Sequence, residues 1–129
     1  MCIRDSPLAV AAGLATLQHL GEDAYLQLAE TTRALAAGLR EAAGTRPVQV
    51  TETTGLLTVF FSAAPVTDYA GAAACDTETY GAWCRALLAR GVYPPASQFE
   101  AWFPSTAHTS DHIARTVEAA AAAFAEVAA

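Results

Sequence analysis

Residues 7–20, PLAVAAGLATLQHL, constrain the fold more than any other stretch of the chain. Pro7 suits the first turn of a helix, and the pattern predicts a helix from Pro7 to about Leu20. Leu8, Val10, Leu14, Leu17 and Leu20, with small residues between them, leave only Thr16, Gln18 and His19 as polar side chains. A helix that is apolar all round requires cover on every side. A chain of 129 residues holds one domain with a modest core and covers one face of such a helix, two at most. The sequence therefore predicts a partner surface for this helix beyond its own residues.

The six residues in front, MCIRDS, show no capping pattern, no strand alternation and no signal-peptide pattern, since Asp5 stands where basic residues belong. Back-translated as ATG TGT ATA AGA GAC AGN, they read as the mosaic-end adapter of a transposase used to prepare sequencing libraries. Residues 1–6 are accordingly expected to be translated adapter with no part in fold or function, a short native N-terminal tail being the alternative reading.

The balance of residue types narrows the function classes. With 53% apolar and 16% charged residues the composition is globular rather than disordered. A formal net charge of -6 disfavours a nucleic-acid partner, which needs a basic footprint. No apolar run reaches the roughly 18 residues of a membrane span, so no membrane partner is expected. Cys2, Cys75 and Cys84 form neither a CxxC pair nor a disulfide framework, which fits reduced thiols and a cytoplasmic location. All seven basic side chains are arginines, so the chain contains no lysine. Chemistry that needs a lysine amine, such as a Schiff base or a phosphate-loop lysine, is excluded for this chain alone.

Periodicity supplies the remaining elements. Glu22 to about Ala43 reads as a helix with Ala24, Leu28, Leu35, Leu39 and Ala42 inward, Glu30, Arg33, Arg40 and Glu41 outward, and Gly44 at its end. PVQVTETTGLLTVFFS reads as an antiparallel strand pair around a TTG turn, with both faces of the second strand partly covered. APVTDYAGAAAC is a loop with a short helical turn. Asp76 caps a helix running to Arg90, and Tyr80, Trp83, Cys84, Leu87 and Leu88 form its apolar stripe. Pro94 and Pro95 keep the next segment irregular. Thr109 or Ser110 caps a last helix with Ile113, Val117, Ala120, Phe124 and Val127 inward. The expected fold class is α+β, a small antiparallel sheet covered by helices.

GVYPPASQFEAWFPSTAHTSDHI is the segment that carries chemistry. Taken alone, Glu100 between Phe99, Ala101 and Trp102 reads as a solvated glutamate among buried neighbours. Taken with PLAVAAGLATL, FFSAAPVTDY and CDTETYGAWCRALLARGVY, in that order and spacing, the segment resembles the C-terminal part of the glutamate-1-semialdehyde 2,1-aminomutase family, within the class III pyridoxal-phosphate aminotransferases. SQFEAWF followed by AHT separates the aminomutases from most class III relatives, and the resemblance covers about residues 7–128. Pro94 departs from it, standing where the family usually has an aliphatic residue.

The resemblance implies a layout: residues 7–20 as an inter-domain helix and 21–129 as the C-terminal small domain of a fold-type I enzyme. It implies a parent protein that isomerises glutamate-1-semialdehyde to 5-aminolevulinate for tetrapyrrole synthesis. That parent would be a cytoplasmic homodimer acting on a small-molecule substrate. Its cofactor, pyridoxal 5'-phosphate, would be held by a missing N-terminal cofactor domain. The chain alone, without the cofactor lysine, is expected to bind no cofactor, to contain no catalytic residue and to be inactive. Glu100 maps onto the family's pocket glutamate, where a carboxylate pairs with a substrate amine and repels the α-carboxylate that an ordinary transaminase clamps with arginine. Ser97, Gln98 and Trp102 are weaker candidates for the pocket wall or its support. Another class III transaminase and a non-catalytic interaction domain are the alternative readings.

Other constellations carry less. His108 and His112 are four apart, but His108 precedes the helix cap and no third ligand is near in sequence, so no metal site is expected. A Ser97–His108–Asp111 triad lacks a nucleophile-elbow frame. Cys75 and Cys84 read as packing residues.

Overall fold

The computed structural model describes residues 6–127. In chain order it contains α1 (Pro7–Gln18), α2 (Glu22–Ala43), β1 (Val48–Thr53), β2 (Leu56–Phe61), α3 (Tyr69–Ala73), α4 (Thr77–Leu88) and α5 (Ser110–Val127). Helices cover a two-stranded antiparallel sheet, so the α+β expectation holds. Of the six residues read as adapter, the first five lie outside the described residues. Ser6 stands at the N-cap of α1 and makes no side-chain capping bond.

None of the residues of α1 is buried, and Leu8 and Leu17 are 80% and 67% exposed. The helix whose composition demands cover thus has none from residues 6–127. Among the described residues no helix is long and apolar enough to cross a membrane.

The hairpin forms as the alternation requires. Val48 pairs with Phe61, Val50 with Val59 and Thr53 with Leu56. Leu57, Val59 and Phe61 are buried, while Leu56, Thr58 and Phe60 are half-buried on the other face. The tight turn needs a positive φ, which Gly55 provides at 76°. Its N–H donates to the buried Thr32 hydroxyl at 3.1 Å, and that hydroxyl donates to the Leu28 carbonyl. The hairpin tip is thereby tied to α2 by a residue outside the expected stripe. Arg40, expected on the solvated side, reaches the edge of β1 and donates to the Val50 carbonyl at 2.6 Å.

The core joins α2, the sheet, α4 and α5 around stacked aromatics. Trp83 is fully buried and lies 4.9 Å from Phe124, 5.8 Å from Phe61 and 5.9 Å from Trp102, centroid to centroid. Asp76 caps α4 as expected, accepting from the Thr79 N–H at 2.9 Å and the Thr79 hydroxyl at 2.6 Å. The same bonds, hydroxyl first, hold its carboxyl below the usual carboxylate range. One member of the α4 stripe is corrected: Leu88 is 47% exposed and Ala86 is buried instead. The helix packs against both α5 and β2, so its buried face is wider on the Ala86 side than a single stripe predicts.

Alanines form most of the buried face of α5: Ala119, Ala120 and Ala123 are buried with Phe124, while Ile113, Val117 and Val127 are half-buried. Small residues let α2 come close. A Cβ placed on Gly38 of α2 would overlap Val117 Cγ2 and stand 3.2 Å from its Cγ1. Gly38→Ala is therefore expected to lower stability by about 1–3 kcal/mol despite its better helix propensity. Denaturant unfolding checks this, and adding Val117→Ala should recover part of the loss.

Candidate functional site

The SQFEAWF segment forms a short arch between two buried feet. Gln98 is one foot: 1% exposed, its Nε2 donates to the carbonyl of Ala72 in α3 at 2.8 Å. Trp102 is the other: its N–H donates to the Leu57 carbonyl at 2.8 Å and its carbonyl accepts from the Leu57 N–H at 3.2 Å. These two bonds are an antiparallel pairing on the free edge of β2. Just before the first foot, Ser97 builds a turn that holds the residues between the feet. Its hydroxyl accepts from the Phe99 N–H at 3.2 Å and its carbonyl from the Glu100 N–H at 3.0 Å. The preceding Pro-Pro stretch is held by Pro95, whose carbonyl accepts from the Tyr80 hydroxyl at 3.0 Å and the Cys84 thiol at 3.4 Å.

Glu100 stands exposed on this arch, and among the described residues no side chain donates to its carboxylate. It lines a cleft of about 1260 Å³ together with Tyr93, Trp102, His108, His112 and Arg115. Of the four residues singled out in the sequence, Glu100 and Trp102 meet at this cleft. Ser97 and Gln98 do not line it and instead support the arch. The Gln98 amide is turned back toward α3, where it supports the arch from beneath. Phe99, expected to be buried, is 53% exposed and lies against Tyr69 with ring centroids 5.9 Å apart. No sequence signal pointed to that pair, because its members are 30 positions apart in the chain.

The competing constellations have structural duties. His112 Nδ1 accepts from the Thr109 N–H at 3.2 Å, while Thr109 Oγ1 accepts from the His112 N–H at 3.3 Å, a reciprocal cap on α5. His108 Nδ1 accepts from the Ser105 N–H at 2.9 Å, so the histidine of the triad serves Ser105, not Ser97. Among the described residues no three His, Cys, Asp or Glu side chains are placed to hold a metal ion. Burial pushes the Cys84 thiol up from its ordinary value, which keeps it protonated. Burial, and then the neighbouring Cys84, likewise push the Tyr80 phenol up.

The fold is that of transaminases. An ω-transaminase from Sphaerobacter thermophilus superposes with a TM-score of 0.81 at 23% identity, over 97% of this chain and 29% of that one. A transaminase with PLP bound superposes at 0.77 and 22% identity, over 95% and 28%. Sequence is more specific. The chain is 53% identical over 125 residues to the glutamate-1-semialdehyde 2,1-aminomutase of Anaeromyxobacter sp. (strain K), which is 95% of this chain and 29% of that enzyme. It is 50% identical over 122 residues to the aminomutase of Desulforudis audaxviator and 50% over 126 residues to that of Deinococcus radiodurans, in each case 92% of this chain and 28% of the relative. No family profile matches the chain. The chain spans about 29% of the length of the curated relatives it matches. It is similar over nearly its whole length to one part of these aminomutases, and the resemblance read from its motifs is borne out.

Proposed function

We propose that this chain is the C-terminal small domain of a glutamate-1-semialdehyde 2,1-aminomutase, with residues 7–20 as the helix entering it from a cofactor domain. The observation that carries the reading is the 53% identity across 125 residues to enzymes of that name. The uncovered apolar helix α1 supports it, because a domain interface is what such a helix needs. The parent would convert glutamate-1-semialdehyde to 5-aminolevulinate in porphyrin biosynthesis, as a cytoplasmic homodimer.

In that parent, pyridoxal phosphate would supply the carrier for the migrating amino group. The residues of this chain do not fit that cofactor: there is no lysine to hold it. It would sit on the remaining 71% or so of the enzyme, and the 129-residue chain alone would be inactive. What this chain would contribute is substrate handling. Glu100, fixed on its arch by its backbone and with its carboxylate unpaired among the described residues, pairs with the substrate ammonium and disfavours a carboxylate in the same place. Trp102 walls the same cleft and excludes water from the pair.

A chimera tests this. Residues 7–129 joined behind the N-terminal portion of the Anaeromyxobacter enzyme should form 5-aminolevulinate from glutamate-1-semialdehyde. A folded chimera that takes up the cofactor and makes no 5-aminolevulinate would overturn the reading.

A further inference from the structure

Gln98 is the one residue of the arch whose side chain is wholly withdrawn from solvent, at 1% exposure, and it is polar. Its Nε2 is satisfied by the Ala72 carbonyl at 2.8 Å, but its Oε1 is buried without a donor among the described residues. Burying an amide with one end unsatisfied is unfavourable, so packing alone does not select glutamine there; an apolar side chain of the same length would do better. The amide does something an apolar chain would not. It ties the arch, which has no helix or strand of its own, to α3. That short helix is itself fixed at its start by Asp68, whose Oδ1 accepts from the Gly71 N–H at 2.7 Å. The Trp102 end of the arch is held by two backbone bonds to β2. The Gln98 end has this one side-chain bond and the small Ser97 turn. Glu100 lies two residues from each foot, so losing either one frees its backbone.

We propose that Gln98 is a positioning residue that holds the carboxylate of Glu100 in place through its bond to the Ala72 carbonyl, without touching substrate. The inference deepens the aminomutase reading and rests on it only for the kinetic consequence; the positioning itself is a property of this chain.

The test has two arms. In the 129-residue chain, Gln98→Met keeps length and apolar bulk but removes the donor. Amide hydrogen exchange followed by NMR should rise about tenfold or more at Phe99 and Glu100, while the core amides of α2 exchange as before. Unchanged exchange at Glu100, or an equal rise throughout the core, would overturn the proposal. In the chimeric enzyme, Gln98→Met should lower kcat, and the double variant with Glu100→Gln should be no slower than Glu100→Gln alone. Full multiplication of the two losses would overturn the proposal. A silent Glu100→Gln together with raised exchange at Glu100 in the first arm would sink the pocket reading and leave the positioning role standing.

Discussion

Trp83→Ala is expected to lower the thermal unfolding midpoint of this chain by roughly 10–25 °C, the largest effect of any single truncation in the core. Trp83 is fully buried, and its ring meets Phe124, Phe61, Tyr80 and Trp102 at centroid distances from 4.9 to 6.0 Å. Those partners come from α5, β2, α4 and the arch, so one side chain bridges four parts of the domain. Removing a buried tryptophan leaves a cavity that rigid neighbours fill only in part, at about 3–5 kcal/mol. That is a large share of the 5–15 kcal/mol by which such domains are stable. Its indole N–H has no partner among the described residues, so the stabilisation lies in ring contacts, and Trp83→Phe should lose much less. A melt followed by circular dichroism checks this, with Tyr93→Ala, at an 88% exposed position, as the variant that should not move.

Much of this core was legible in the sequence because it follows a period. The stripe Tyr80, Trp83, Cys84 and Leu87 and the alternation of Leu57, Val59 and Phe61 both place a side chain by counting. Where counting failed, a second partner intervened. Ala86 is buried where Leu88 is not, because α4 packs on α5 and β2 together and its buried face extends to the Ala86 side, and Thr32 is buried with its hydroxyl on the hairpin tip. The all-apolar character of α1 was legible too, and its exposure in this chain is the physical form of that demand for cover. The arch is different. It has no period, so neither the turn built by Ser97 nor the bond from Gln98 to Ala72, 26 positions away, was readable from spacing. Glu100 was singled out only through the resemblance of SQFEAWF; alternation by itself gave a solvated glutamate, and in this chain Glu100 is exposed.

The second large effect follows from that residue. In the chimeric enzyme Glu100→Gln is expected to lower turnover by on the order of thirtyfold to a thousandfold. The substitution keeps the shape of the arch, since the backbone bonds of Ser97 and Trp102 do not involve the carboxylate. It removes only the charge. In a pocket closed to water, a charge-assisted contact to an ammonium is worth about 2–4 kcal/mol, which is the stated factor in rate. Stability and cofactor uptake should stay as they were, because the Glu100 carboxylate has no partner among the described residues and the chain contains no lysine.

The most direct measurement is 5-aminolevulinate formation by the chimera with Glu100 and with Glu100→Gln, at matched cofactor content and matched melting temperature. Glu41→Gln, an exposed carboxylate on α2, serves as the control. The expected result is an active chimera, an unaffected control and a Glu100→Gln variant slowed by at least about thirtyfold. Equal turnover in all three would contradict it and return Glu100 to the solvated surface.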